Sequence, residues 1–115
     1  MNVVNLIGRL TKDLELKYTN SGKANTRFTL AVQRNKDETD FINCVAWEKT
    51  AENIAEYFKK GSQIAVQGSI RTGSYEKDGR TVYTTDVWVY KFDFIGNSNS
   101  SNNQNKKEED KDFPF

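Results

Sequence analysis

Side chains that usually carry out enzyme chemistry are scarce in this sequence. It contains no histidine, and its only cysteine, Cys44, lies in an apolar run. It also lacks a glycine-rich phosphate-binding motif and a dense cluster of carboxylates that could hold a metal ion. We therefore predict that the protein is not an enzyme and that it uses no cofactor and no metal.

Other absences bear on where the protein works. A single cysteine cannot form an intrachain disulfide, and its apolar neighbours predict a buried thiol. No apolar run approaches the length that spans a membrane, and the first residues lack the charged start and apolar stretch of a signal peptide. These features predict a cytoplasmic protein with no membrane partner.

The chain divides into a patterned part and a polar end. Regular hydrophobic patterning covers residues 1–96, which predicts one small domain. Residues 97–111 are mainly Asn, Ser, Gln, Lys and Glu, and such a segment buries too little apolar surface to offset the entropy of ordering it. We predict a disordered linker there, followed by an apolar tip that consists of Asp112, Phe113, Pro114 and Phe115.

The tip allows two interpretations. Two aromatic rings beside acidic residues and a free carboxylate could bind a basic, hydrophobic pocket on another protein. The tip could equally be an unstructured end whose sequence is accidental.

Most of the patterned part alternates apolar and polar residues, as β-strands do. We predict five strands and one helix that ends at Gly61. The strands cover residues 3–10 with a continuation over 15–19, then 24–34, 41–47, 62–71 and 81–95, and the helix covers 50–60. Asp78 and Gly79 predict a tight turn at a hairpin tip over 75–80.

A helix between the third and fourth of five strands is the element order of an oligonucleotide/oligosaccharide-binding (OB) barrel. The fold class predicted here is therefore all-β with one helix. It is a five-stranded Greek-key OB-fold barrel followed by a disordered C-terminal tail.

Aromatic and basic side chains are arranged as a single-stranded nucleic acid would require, because bases stack on rings while cations neutralise phosphates. Phe41 and Trp47 are six residues apart, which places both rings on one face of the third strand, and Tyr75 lies beside the hairpin tip. The cations that flank these rings are the predicted phosphate contacts: Arg34, Lys36, Lys49, Arg71, Lys77 and Arg80.

A second interpretation of the aromatic residues is that they form the core. Aromatic side chains at alternate strand positions usually do so, and Phe41 and Trp47 fit that pattern as well. On the fifth strand, period two places four aromatic residues on one face, which we predict to pack in the core or in an interface: Trp88, Tyr90, Phe92 and Phe94.

Several segments together resemble the bacterial-type single-stranded DNA-binding proteins, which phages and mobile elements also carry. The segments are residues 8–13 (GRLTKD), 28–32 (FTLAV), 40–47 (DFINCVAW), 51–55 (AENIA), 59–62 (KKGS), 71–72 (RT), 83–87 (YTTDV) and the terminal DFPF. The resemblance covers nearly the whole chain. It implies an OB barrel that assembles as a homotetramer and binds single-stranded DNA without strong sequence preference. It also implies a nucleoid-associated location and recruitment of replication, recombination and repair proteins through the tip.

The resemblance assigns roles to individual residues. It implies that Phe41, Trp47 and Tyr75 stack bases, and that Lys49, Lys60 and Arg71 approach phosphates. The chain departs from the family pattern in the loop after Arg34, where Lys36 stands in place of a further stacking aromatic residue. It also departs in the tail, where Lys111 interrupts the acidic run before the tip and Phe113 replaces a smaller residue.

Two competing functions remain open at this point. An OB barrel that has become a protein-interaction subunit would keep the fold without DNA affinity, and the missing loop aromatic residue favours that possibility. A barrel that binds single-stranded RNA is the other, since stacking alone does not distinguish ribose from deoxyribose.

Overall fold

A computed structural model describes residues 1–95 of the chain, which form six strands and one helix. The strands are β1 (Val4–Leu10), β2 (Lys17–Tyr18), β3 (Ala24–Gln33), β4 (Thr39–Trp47), β5 (Gln63–Lys77) and β6 (Arg80–Phe94), and the helix is α1 (Glu48–Tyr57). The predicted continuation of the first strand is the two-residue strand β2, which pairs with the start of β3.

The strands close into a barrel. Their order across the sheet is β1-β5-β6-β4-β3-β2, and an additional antiparallel pairing of Arg9 and Leu10 with Ala31 and Leu30 joins β1 to β3. All pairings are antiparallel except that between β4 and β6. This is the five-stranded Greek-key OB fold, with β2 appended at the edge and α1 between the third and fourth barrel strands, so the predicted fold class is confirmed.

The barrel interior is filled by apolar side chains from every barrel strand and from the helix. Ala51 and Ile54 of α1 are fully buried, and the helix packs against β3, β4 and β6. Burying a side chain such as Ile54 contributes about 1.5–3 kcal/mol to stability. Leu30 and Ile64 are fully buried in the same core.

The helix differs from its predicted bounds at both ends. It starts at Glu48, directly after β4, and Glu48 has a φ of 55°, in the left-handed region. It ends at Tyr57, because Phe58 is already extended and packs its buried ring against Phe92 and Phe94. The predicted helix end at Gly61 is therefore wrong, since a tertiary contact of Phe58 overrides the local signal.

The β5–β6 hairpin is longer than the sequence predicted. Its strands remain paired as far as Lys77 and Arg80, so Tyr75 lies on a strand and not in a loop. Asp78 and Gly79 alone form the turn, with φ values of 52° and 77°. Two successive positive φ values define the type I′ turn that suits a twisted hairpin, and Asp-Gly was the correct signal for it.

A bulge in β6 separates the aromatic residues that were predicted to share one face. Gly68 pairs with Val89 whereas Gln67 pairs with Lys91, which leaves Tyr90 as the extra residue. Because of this extra residue, Phe92 packs against the core together with Val89. Trp88 lies on the opposite, outward side, so the prediction of one common face is wrong.

Candidate nucleic-acid interface

The outward side of β4, β5 and β6 carries the residues predicted to stack on bases. Cys44 and Ala46 of β4 point into the core, so the alternating residues of that strand point outward. Val45 pairs with Trp88, and Trp88 pairs with Ser69 on β5, which places their side chains on this same side. We call this surface the aromatic face and define it by its four rings: Phe41, Trp47, Tyr75 and Trp88.

Two of these rings are freely accessible. Phe41 is 66% exposed and Tyr75 is 52% exposed. Exposure of this extent excludes the interpretation of Phe41 as a core residue. Each ring lies on a strand whose backbone pairs with a neighbouring strand at that position, Phe41 with Ala31 and Tyr75 with Val82. Such a ring is an ordered platform for a base, because little further ordering is needed when the base stacks.

The other two rings form a cluster with a cation. The ring centroids of Trp47 and Trp88 are 5.7 Å apart with planes inclined at 38°, and the guanidinium carbon of Arg71 lies 4.2 Å from the Trp88 ring centroid. Trp47 is half-buried, and its indole nitrogen is buried without a hydrogen-bond partner among the described residues. The Trp47 ring is therefore positioned by packing and not by a hydrogen bond.

Arg27 is a cation of this surface that the sequence prediction of phosphate contacts omitted. Its side chain is largely exposed on β3, and its guanidinium forms an ion pair with Asp86 on β6 at 3.7 Å. The alternation of β3, which puts Phe28 and Leu30 in the core, is the signal that could have identified it.

Two clefts meet at Arg27. One, of about 580 Å³, extends along the β5–β6 hairpin and is lined by Tyr75, Tyr83 and Asp86 among others. The other, of about 440 Å³, extends toward Lys12, Asp13 and Glu15. Asn43 lines both clefts and accepts a hydrogen bond from Thr29 at 3.2 Å. The two clefts therefore share Arg27 and Asn43 on the outward side of the sheet.

Arg34, a predicted phosphate contact, is engaged within its own loop. Its guanidinium donates to Asp40 at 2.6 Å and to Glu38 at 3.2 Å. Hydrogen bonds from Arg34 hold the pKa of Asp40 below its usual value, and the same bonds raise the pKa of Arg34. The loop is further closed by Asn35, whose side-chain oxygen accepts from the backbone N–H groups of Asp37 and Glu38. Arg34 thus has a structural partner that a phosphate would have to displace.

The remaining predicted cations lie on several different elements of the fold. Lys77 and Arg80 pair with each other on either side of the hairpin turn, and Lys49 follows Trp47 by two residues at the start of α1. Lys36 is exposed in the loop between β3 and β4. Lys60 lies in the turn after α1, where its backbone N–H donates to Asp13.

The single cysteine is a core residue, as predicted. Cys44 is 1% exposed. Burial, with the negative charge of Asp86 as a smaller cause, raises the pKa of the Cys44 thiol to about 12. A thiol so rarely ionised is a poor nucleophile, which fits a packing role.

A closed OB barrel whose outward face carries exposed rings and cations defines a class of proteins that hold single-stranded nucleic acid by stacking and charge. Residues 1–95 match the family model described as the single-strand binding protein family. The chain therefore belongs to that family.

Relatives in several bacteria are similar over most of the chain. A protein of Clostridium perfringens named single-stranded DNA-binding protein is 61% identical over 103 residues, which cover 86% of this chain and 69% of that protein. A protein of Listeria innocua named single-stranded DNA-binding protein 3 is 46% identical over 120 residues, covering 92% and 75%. A Bacillus cereus single-stranded DNA-binding protein is 48% identical over 111 residues, covering 90% of this chain and 65% of the relative.

Two predicted segments of the chain lie beyond the residues that the structure describes. The linker over 97–111 and the tip from Asp112 to Phe115 lie outside the described residues 1–95. Within those residues, α1 is far too short and polar to serve as a membrane span.

Proposed function

We propose that this protein binds single-stranded DNA without strong sequence preference, and that it protects such strands during replication, recombination and repair. The observation that carries the proposal is the aromatic face, where exposed Phe41 and Tyr75 rings lie among cations on an open surface. Stacking on rings of this kind contributes about 1–3 kcal/mol per base.

The shape of the surface favours an unpaired strand. A ring can stack on a base only when that base has left its own stack, and the duplex does not offer such free base faces. The two clefts at Arg27 extend along the surface and do not close around one base. This arrangement supports binding along a backbone and not recognition of a particular base.

We propose roles for the individual residues. Phe41, Trp47 and Tyr75 stack bases, and Arg71, with Arg27 added from the structure, contacts phosphates. Lys36, Lys49, Lys60, Lys77 and Arg80 are the remaining proposed phosphate contacts. Arg34 contributes less than these, because its guanidinium is already paired with Asp40 and Glu38.

The barrel itself is proposed to act as a binding module and not as an enzyme, working in the cytoplasm at the nucleoid. We propose a domain over 1–96, a linker over 97–111 and a partner-binding tip over 112–115. Removing Phe113, Pro114 and Phe115 should abolish recovery of purified replication, recombination or repair proteins while affinity for DNA is kept. Unchanged recovery would contradict the role of the tip.

We also propose a homotetramer. Exposed apolar side chains away from the aromatic face support self-association, among them Val3, Ile7 and Tyr90. Sedimentation velocity should show a species of about four times the chain mass of 13.2 kDa. A species that sediments as one chain at all concentrations would refute this proposal.

The binding proposal is tested by tryptophan fluorescence. The chain has two tryptophans, Trp47 and Trp88, and both lie on the aromatic face, so a stacked strand should quench them. Titration with oligothymidylate should saturate, weaken as salt is raised and resist competition by duplex DNA. Equal competition by RNA of matched length would favour the RNA-binding barrel, and no binding would favour the protein-interaction subunit.

Substitutions locate the site. Phe41→Ala and Tyr75→Ala should each weaken oligothymidylate binding about 10-fold or more while the domain stays folded. The matched control is Tyr18→Ala, which removes an exposed aromatic ring from β2 at the far edge of the sheet. Equal losses of affinity in all three variants, or no loss in the first two, would refute the assignment of Phe41 and Tyr75 to the binding site.

A further inference from the structure

We propose that Trp88 is a positioning residue for single-strand binding, which holds Arg71 and Trp47 in the orientation that the strand meets. This inference rests on the proposed function. Trp88 lies between the two other residues, since it pairs with Val45 of β4 on one side and with Ser69 of β5 on the other. Its ring contacts Trp47 and lies beneath the Arg71 guanidinium.

Arg71 depends on this ring for its position. Within residues 1–95, no hydrogen bond or ion pair engages its guanidinium, and the stacking distance of 4.2 Å to Trp88 is its defining contact. A guanidinium stacked on a ring keeps its N–H donors in the free plane, where they can donate to a phosphate. Trp88 therefore presents the cation and does not itself need to stack a base.

Trp47 depends on Trp88 as well. The Trp47 indole nitrogen is buried without a hydrogen-bond partner in the described part of the chain. The neighbouring Trp88 ring, with its centroid at 5.7 Å, is a packing contact that restricts the Trp47 side chain. Removing Trp88 would free both a cation and a stacking ring, and the strand would have to order them on binding.

The charge next to this cluster gives Trp88 a further role. Asp86 pairs with Arg71 in the strand register, yet its carboxylate forms its ion pair with Arg27 at 3.7 Å. Stacking on Trp88 keeps the Arg71 guanidinium away from this neighbouring carboxylate. We infer that loss of the ring would allow Arg71 to pair with Asp86, which would withdraw a positive charge from the surface.

The test compares Trp88→Val with Arg71→Gln by oligothymidylate titration at several salt concentrations, using a labelled oligonucleotide. Valine removes the ring and keeps a good strand former at this position. We expect each variant to lose about 10-fold in affinity. Each should also lower the salt slope by about 0.7, the value for one phosphate contact on a single strand.

A double variant separates positioning from direct contact. If Trp88 acts through Arg71 and Trp47, then adding Trp88→Val to Arg71→Gln should cost less than about 3-fold, well below its cost alone. Adding Trp88→Val to Arg27→Gln should cost at least its full amount, because Arg27 does not contact the ring and its loss leaves Asp86 free to pair with Arg71. Full additivity with Arg71→Gln, or an unchanged salt slope, would overturn the inference.

A measurement without DNA tests the contact between Trp88 and Arg71 independently of the proposed function. In the wild-type protein, the side-chain protons of Arg71 should show a ring-current shift in the NMR spectrum, and Trp88→Val should abolish it. Trp88→Phe, which keeps a smaller ring, should retain part of the ring-current shift and part of the DNA affinity. This variant replaces Trp88→Val in the test if the valine variant does not fold. Wild-type binding with no loss in Trp88→Val refutes the positioning role alone, whereas no wild-type binding refutes the proposed function.

Discussion

The close approach of β5 and β6 at Gly68 predicts a large effect from adding one methyl group. A Cβ at Gly68 would lie 2.8 Å from the carbonyl carbon of Trp88, closer still to its oxygen, and 3.1 Å from the Cα of Val89. All three are backbone atoms of a paired strand, so none of them can rotate away. Gly68→Ala must therefore displace one strand from the other at the bulge.

The expected cost follows from what has to move. Overpacking in a tight core usually costs about 1–3 kcal/mol, and each backbone hydrogen bond weakened by the displacement adds about 1 kcal/mol. We expect Gly68→Ala to lower the free energy of unfolding by about 2–4 kcal/mol. Because the displaced residue is Trp88, we also expect weaker oligothymidylate binding at temperatures where the variant is folded.

Gly73→Ala is the matched control on the same strand. There, the added Cβ would meet only the Thr84 hydroxyl oxygen at 3.2 Å, and a hydroxyl can rotate to another position. We expect a change within about 0.5 kcal/mol. Urea unfolding at one protein concentration measures both variants, which removes the effect of any self-association. Equal destabilisation of the two variants would refute the argument from close approach.

Three further predictions follow from particular side chains. Glu48 has a φ of 55°, in the left-handed region that favours glycine, so Glu48→Gly should be neutral or should stabilise the protein by up to about 1 kcal/mol in thermal unfolding. Glu52→Gly, inside the same helix, should instead cost about 1 kcal/mol. With a pKa of about 12, the Cys44 thiol should resist a thiol reagent at pH 8 until the protein unfolds, and rapid labelling of the folded protein would contradict its burial. The pKa of Asp40 lies below its usual value of 3.8, so its ion pair should persist at neutral pH and be lost as the pH falls below that value. Arg34→Gln should return the NMR titration of Asp40 to its usual range and should change DNA affinity by less than about 2-fold. A larger loss of DNA affinity would mean that Arg34 does bind phosphate.

Residues that signal local backbone shape were read correctly from the sequence. Alternation identified the barrel strands, and Asp78-Gly79 identified the hairpin turn, because these signals arise from neighbouring residues and positive φ values. Phe41 and Tyr75 were identified as candidate contacts, and the structure exposes both rings. The predicted helix end at Gly61 failed because the Phe58 ring, packed against Phe92 and Phe94, ends the helix earlier.

The cation assignments show where a sequence pattern stops being informative. Arg34 looked as free as Arg71, yet it is paired with Asp40 and Glu38 across its own loop. Arg27 was left out of the predicted contacts, although it lines both clefts on the outward side of the sheet. Whether a cation has a partner depends on distances between strands. Alternation along a single strand carries no information about those distances.

The sequence by itself determined the class of fold and the kind of chemistry. Period-two alternation, one helical stripe and the lack of histidine follow from composition and order, and these are local properties that no packing arrangement changes. Only the tertiary structure decided that Trp88 joins Trp47 and Arg71. The extra residue Tyr90 in β6 reverses which side chains face outward, and the register between strands then brings together residues far apart in the chain.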